Sequence, residues 1–386
     1  MTATREAISE STTLQLWVRA GGRCEYHGCN EYLLEDRLTG YELNLADRAH
    51  IVGASEAARS PRGGDPLPLA ERSKVENLML LCRPHHRMID RLLKEHGVDG
   101  LRQMKREHEE RIKLLTGLQE ESATVVIRAI GGIRGAPVEI PRDAVRAAVV
   151  ADGRFPRFPL AMAGEDLEID LRNLPEEAAS DYWTVGEAIV ARQADRLRDA
   201  QESIRHLSVF ALARIPLLIA LGFYIDDKIP ATVYGRPRGG TGDGGWGFDS
   251  DAEPVAFEVH SLVGSDHGSR VAVAVSVTAS IADDVVAAAG DSNVYEVSPR
   301  AVPCGRDLLS SCVSLNHFAD AYNRLLSRIE ADHPACEVID IYAAVPAAVA
   351  VQMGRGLMRD AQPALRIHDR GADGQFVEAL VLGGGR

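Results

Sequence analysis

The chain has 386 residues, of which 45% are hydrophobic and 26% are charged, so it is long enough for two or three globular domains. No apolar run reaches the roughly 18 residues that a membrane span needs, and the first residues contain no apolar signal segment. Six cysteines are too few for a disulfide scaffold. These features exclude a membrane protein, a secreted disulfide-rich protein and a disordered chain, and we expect a cytoplasmic protein.

The net charge of -13 is distributed unevenly along the chain. Residues 1–118 contain equal numbers of basic and acidic side chains, so the whole acidic excess lies in the remainder. This division predicts two domains with different partners. The acidic C-terminal part is a poor surface for duplex DNA, whose phosphates it repels, although a local pocket could still bind a small anion.

The N-terminal elements are predicted from apolar spacing and from residues that begin or end helices. One helix ends at Gly21-Gly22, and a longer one begins with Asp99 as its N-cap and ends at Gly117. In chain order we expect a helix over 11–20, a strand near 45–51, a loop over 53–73, helices over 84–94 and 99–117, and linker-like punctuation over 131–141.

Two segments of the C-terminal part share one pattern, a buried-type strand followed by a proline, an apolar helix and a glycine. They read ALARIPLLIALG and YAAVPAAVAVQMG. Continuous apolar strands that alternate with helices indicate parallel sheets, and the repetition suggests two Rossmann-like halves. A capping-box spacing at Thr184 and Glu187 predicts another helix upstream. The predicted order is helix 184–203, strand 206–213, helix 216–225, strand 231–236, strand 338–345, helix 346–358 and strand 363–369.

Four residues in two closely spaced pairs predict a structural metal site. Cys24 and Cys29 form the first pair, and Cys82 and His85 form the second. Two short pairs joined by a long insert are typical of a closed tetrahedral zinc site, which would stabilise a small region that lacks a large core.

A second set of residues overlaps this zinc knuckle and predicts catalysis. His86 and Asp90 are four residues apart on a predicted helix, so an imidazole and a carboxylate face the same side and could hold a divalent cation. His50 lies near the end of an apolar strand, where it would face that cation, and it could take a proton from water near neutral pH. Asn77 could hydrogen-bond to the backbone and hold the loop that carries His50.

Together these residues resemble an HNH endonuclease with its ββα-metal core, over residues 20–95. The resemblance implies that His50 activates the attacking water and that Asn77 braces the hairpin. It also implies that His86 and Asp90 hold Mg²⁺ or a similar ion against the scissile phosphate.

The chain departs from the HNH pattern at one position. Many members have Asp, Glu or His directly before the general base as a metal ligand, and this chain has Ala49 there. The remaining ligands would be phosphate and water, or Asp47 if the strand is irregular.

The C-terminal part resembles the SAVED domain, a sensor of cyclic oligonucleotides related to two fused CARF domains. The resemblance rests on HLSVFALARIPLLIALGFYIDDKIPATVYGRPRG, Trp246 and IYAAVPAAVAVQMGRGLM, and covers roughly 150–386. A ligand of this kind needs donors for phosphates and flat rings for bases. Candidate ligand-binding residues are Trp246, Arg236 and Arg238 in a glycine-rich loop, and Arg355. Simple surface packing of the Trp246 ring is the alternative.

An HNH nuclease fused to SAVED resembles the layout of one CBASS antiphage effector family. We therefore expect an α+β HNH domain over 1–120, a linker over 121–150 and an α/β SAVED domain over 151–386. The resemblance implies a non-specific double-stranded DNA endonuclease with Zn²⁺ and Mg²⁺. It also implies activation by a cyclic dinucleotide through homo-oligomerisation, from a resting dimer to an assembly such as a tetramer.

Two other functions stay open. One is a restriction-like HNH nuclease whose C-terminal domain reads DNA modification, which the acidic charge disfavours. The other is a non-catalytic zinc module on a nucleotide-binding protein, with Ala49 marking lost metal affinity.

Overall fold

The computed structural model describes residues 7–57, 59–132, 138–157, 168–177, 179–199, 204–236, 245–249, 251–264, 268–358, 362–371 and 373–384. The chain divides into two compact units, Met1–Gln119 and Glu120–Arg386, called here the N-terminal and C-terminal units. In the described part of the chain, no helix combines the length and the apolar character that a bilayer crossing requires.

The N-terminal unit combines three helices with one antiparallel strand pair. Its elements are α1 (Glu10–Ala20), β1 (Ala46–His50), β2 (Leu78–Cys82), α2 (Arg83–Arg91) and α3 (Val98–Gly117). In the strand pair, Ala46 lies opposite Cys82 and His50 lies opposite Leu78, without a register shift. Strand β2 leads directly into α2, whereas residues 51–77 separate β1 from β2 along the chain.

Strand β2 forms the centre of the N-terminal core, since all five of its residues are buried. Leu16 of α1 and Leu101 of α3 pack into the same cluster. The prediction that Asp99 is the N-cap of α3 is wrong. Gly97 occupies that position, and Asp99 lies in the first turn, where its charge favours the positive end of the helix dipole.

The C-terminal unit contains two sheets with helices packed against them. The elements of the first half are β3 (Ala123–Gly131), α4 (Arg142–Ala151), β4 (Phe155–Arg157), β5 (Ile169–Leu171), α5 (Tyr182–Asp199), β6 (Leu207–Leu212), α6 (Ile215–Ile225) and β7 (Ala231–Val233). The strand order is β4-β3-β6-β7, β5 also pairs with β3, and every pair is parallel.

The second half forms a mixed sheet. Its elements are β8 (Phe257–Val263), β9 (Val271–Ser276), α7 (Ala282–Ala288), β10 (Asn293–Pro299), α8 (Cys312–Asp332), β11 (Val338–Ala344), α9 (Ala347–Arg355), β12 (Ala364–Arg370) and β13 (Phe376–Leu382). The strand order is β13-β12-β11-β9-β10-β8. The two outer strands are antiparallel to their neighbours, and each outer pair contains a register shift.

The two repeated segments occupy equivalent places in the two halves. In each, a parallel strand, a helix and the next parallel strand follow in order, as β6-α6-β7 and as β11-α9-β12. Helices α6 and α9 pack against each other so closely that a Cβ on Gly222 or on Gly354 would overlap a backbone oxygen of the other helix. These two glycines end the two similar sequence segments, so the repeat meets itself in the shared core.

Two expectations for the first half are wrong. The stretch 121–150 is not a linker, because it contains β3, which pairs with three other strands, and α4. The Thr184 capping box is also wrong, because α5 begins at Tyr182 and Thr184 is already helical.

Candidate functional site

Three cysteines and one histidine converge in the N-terminal unit. Cys24 and Cys29 lie in the loop after α1, Cys82 ends β2, and His85 lies in the first turn of α2. One ligand atom from each lies within 4.8 Å of the others. The Sγ atom of Cys82 is 3.0 Å from His85 Nδ1, and Cys24 Sγ is 3.8 Å from both.

The surroundings of this Cys/His cluster disfavour two of its thiolates unless a cation offsets their charge, and they hold the histidine ring. Burial raises the pKa of the Cys24 thiol well above its ordinary value, and burial raises that of Cys82 to about 11. The ring of Tyr26 stacks on His85 with centroids 4.2 Å apart, which holds the imidazole in place. Three sulfur atoms and one ring nitrogen are ligands that zinc prefers, so these residues fit the predicted ion.

A second cluster lies where β1 faces α2. His86 Nδ1 is 3.1 Å from Asp47 Oδ2, and His86 Nε2 is 3.4 Å from Asp90 Oδ2. The hydrogen bond with Asp90, together with Asp47, raises the pKa of His86. Burial acts to raise the pKa of Asp90, but His86 and Arg62 lower it on balance. We call these three residues the Asp47–His86–Asp90 cluster. His86 Nε2 and Asp90 Oδ2 could hold the same divalent cation, whereas Asp47 faces the opposite ring nitrogen.

Asp47 reaches this cluster from a regular strand. The pairing of β1 with β2 continues through Asp47 and Ala49 without a shift, so no irregularity is needed to bring the carboxylate to His86. Ala49 itself is fully buried in the core. In this arrangement Asp47 orients the imidazole of His86 through Nδ1, and it does not share a cation position with Asp90.

Asn77 holds the chain that follows His50. Its Oδ1 accepts a hydrogen bond from the Val52 amide at 2.9 Å. Its Nδ2 donates to the carbonyls of Val52 and Arg72 at 2.8 and 2.9 Å. His50 is the last residue of β1, so these bonds fix the backbone two residues beyond the expected base.

Two arginines with buried side chains, both in the loop over 53–73, were not predicted from the sequence. Arg62 contacts Asp90 at 3.1 Å and bonds to three backbone carbonyls near the cluster. Arg72 bonds to the carbonyls of Gly53, Gly63, Asp65 and Leu67. No periodicity or spacing marks such residues, because their partners are backbone groups of an irregular loop.

The candidate ligand-binding residues of the C-terminal unit differ in how far they are buried. Trp246 is half-buried and packs edge-on against Phe210, with centroids 5.2 Å apart. The guanidinium of the exposed Arg236 lies 5.9 Å from the Trp246 ring centre. Arg355 is buried and donates to the carbonyl of Ile229 at 2.9 Å. Arg238 lies outside the described residues.

A further charged cluster lies at the carboxyl ends of strands from both halves. Arg214 precedes α6 and forms ion pairs with Glu177 and with Asp369 of β12. Its guanidinium also lies 5.8 Å from the ring centre of Trp183. This edge of a parallel sheet is where α/β folds commonly bind ligands. The sequence reasoning missed the cluster, because nothing local joins residues so far apart.

Comparison with known proteins identifies one family. The model of the SAVED family, described as "SMODS-associated and fused to various effectors sensor domain", matches residues 189–382, just over half of the chain. No curated protein matches the chain.

Two solved structures illustrate the similarity. The Acinetobacter baumannii Cap4 SAVED/CARF-domain containing receptor with the cyclic trinucleotide 3'3'3'-cAAA has 12% identity and a TM-score of 0.44, over 78% of this chain and 63% of that one. The Moraxella osloensis Cap4 receptor has 10% identity and a TM-score of 0.41, over 77% and 60%. The chain thus spans less than two thirds of these receptors.

Proposed function

This chain belongs to the SAVED family, and from that premise we propose that it is an antiphage effector activated by a cyclic oligonucleotide. In this proposal the C-terminal unit is the sensor, and the N-terminal unit is a metal-dependent DNA endonuclease of the HNH type. The family description supports the division, since it names a sensor domain fused to effectors. The matched residues all lie in the C-terminal unit, which leaves the N-terminal unit as the candidate effector in this proposal.

The observation that carries the nuclease proposal is the close approach of Asp90 Oδ2 to His86 Nε2, with Asp47 on the opposite ring nitrogen. A divalent cation bound there would supply Lewis-acid stabilisation of the scissile phosphate. His50 would accept the proton of the attacking water, and Asn77 would hold the backbone that carries it. Zinc in the Cys/His cluster would fix the start of α2, where His85 directly precedes His86.

The sensor proposal rests on an aromatic ring and an arginine that lie near one another in the C-terminal unit. Trp246 offers a half-buried ring for base stacking, and Arg236 is exposed beside it as a phosphate donor. Ligand binding can drive homo-oligomerisation only if the assembled state binds the nucleotide more tightly. A shift from 1:99 to 99:1 requires about 5.5 kcal/mol of such preference.

The test is plasmid cleavage by the full chain in Mg²⁺, with and without a panel of cyclic di- and trinucleotides. We expect one nucleotide to start degradation of double-stranded DNA. His50→Ala should abolish cutting yet retain folding and nucleotide binding, whereas His260→Ala, an exposed histidine of the C-terminal unit, should cut normally. Equal cutting without any nucleotide would favour the restriction-like alternative. Intact plasmid under every condition would contradict the nuclease.

A further inference from the structure

We propose that Arg62 is a positioning residue for the Asp47–His86–Asp90 cluster, and this inference rests on the cation site proposed above. The guanidinium Nη2 lies 3.1 Å from Asp90 Oδ1, while the other oxygen, Oδ2, faces His86 Nε2 at 3.4 Å. Arg62 therefore occupies one carboxylate oxygen and leaves the other directed at the imidazole. In this arrangement Asp90 offers a cation a single, oriented oxygen.

The same guanidinium bonds both to the end of β1, which carries the expected base, and to α2, which carries the expected metal ligands. Its Nε donates to the carbonyl of Ile51 at 2.5 Å, and its Nη2 to that of His50 at 3.3 Å. Its Nη1 donates to the carbonyl of Ile89 in α2 at 2.6 Å. Only the planar fork of an arginine can serve these directions together, because a lysine ammonium is a single point donor. Arg62 thus sets the spacing between the end of β1 and α2.

The backbone conformation at Arg62 favours glycine, so the presence of an arginine there must be explained by its side-chain contacts. Its φ is +55°, in the left-handed region that an L-residue with a side chain enters only at a steric cost. Its side chain is only 6% exposed, so a charged group is also taken out of water. A glycine would avoid both costs. The contacts to Asp90 and to the three carbonyls account for an arginine here.

Mn²⁺ titration of the zinc-loaded full chain tests this assignment without reference to activity. The site is defined as the Mn²⁺ binding that is lost in Asp90→Asn. Arg62→Lys retains a positive charge beside Asp90 but loses the fork, so any change in affinity reports geometry rather than charge. We expect Mn²⁺ binding at least 10-fold weaker, the scale at which residues behind metal ligands act.

Arg72→Lys is the matched control, because Arg72 is a buried arginine of the same loop whose bonds go to four other carbonyls. It should lower the melting temperature yet leave the Mn²⁺ affinity of the folded protein unchanged. A second variant, Arg62→Gly, relieves the positive φ and covers the case in which the lysine variant does not fold. It should cut DNA at least 10-fold more slowly at saturating Mn²⁺.

The outcomes separate the two proposals. If the wild-type chain neither binds Mn²⁺ at Asp90 nor cuts DNA, the proposed nuclease fails and the role of Arg62 fails with it. If the wild type binds and cuts, but Arg62→Lys binds Mn²⁺ equally well or Arg72→Lys weakens binding to the same degree, only the role of Arg62 is overturned.

Discussion

The crossing of α6 and α9 allows a quantitative prediction for Gly222→Ala. The new Cβ would overlap the carbonyl oxygen of Val351 and lie 2.9 Å from the amide nitrogen of Arg355. Both atoms belong to backbone, so no side chain can turn away. Ordinary non-bonded carbon contacts are about 3.5–4.0 Å, so the helices must separate by more than about 1 Å.

The expected loss follows from two opposing effects. Overpacking against rigid atoms lies at the upper end of its usual range, about 3 kcal/mol. Replacing glycine inside a helix by alanine by itself stabilises the folded state by about 1 kcal/mol. The net loss is about 2 kcal/mol, which for a domain of this size lowers the melting temperature by roughly 4–8 °C.

Differential scanning calorimetry of the full chain measures this change. Gly186→Ala is the matched control, because Gly186 also lies inside a helix of the C-terminal unit. Its added Cβ would meet only the methyl carbons of Leu217 and Leu174, the nearest at 2.8 Å, and a methyl group can move aside. We expect a change of less than about 1 kcal/mol there. A Gly222→Ala protein as stable as the wild type would refute the backbone contact.

Three further predictions concern the metal cluster, the Trp246 ring and a buried histidine. Cys82→Ser should reduce bound zinc and destabilise the N-terminal unit by on the order of 5 kcal/mol. Cys336→Ser, the control, should retain zinc. Full zinc content in Cys82→Ser, measured by mass spectrometry, would contradict the site. Trp246→Ala should weaken nucleotide binding by about 1–3 kcal/mol in calorimetric titration, and equal affinity would leave the ring a packing role. Burial lowers the pKa of His206 to about 4. As the pH falls, this histidine is therefore protonated in the unfolded chain before it is protonated in the folded chain. The free energy of unfolding of the C-terminal unit should fall by up to about 3 kcal/mol between about pH 6.5 and pH 4. His206→Gln should reduce this loss in urea unfolding, and an unchanged pH dependence would count against it.

Local patterns sufficed where the determining contacts are local. The strand–proline–helix segments were predicted to within a few residues, because α6 and its two flanking strands are almost continuously apolar. The Cys/His cluster also follows from short spacings, which limit the distance between its paired ligands.

Strand β3 was missed because what makes it a strand is distant in sequence. Its partners β4 and β6 begin about 30 and 80 residues later, and the glycines after it resemble a linker. It also carries Arg128, which is buried and pairs with Glu168 at 2.9 Å. A charge in a short apolar run weakens a pattern that depends on hydrophobicity alone. The role proposed for Arg62 is hidden in the same way, because it depends on the path of a loop.

The outer strands of the two sheets bear on aggregation. An unpaired sheet edge is a template on which another chain can add a strand. In the described residues of the first sheet, the outer strands β4, β5 and β7 have three residues each, too few for a stable addition. In the second sheet the outer strands have seven residues, but each is paired through a register shift that bends it away from a flat edge. Folded copies of this chain are thereby protected against uncontrolled growth of either sheet at high protein concentration.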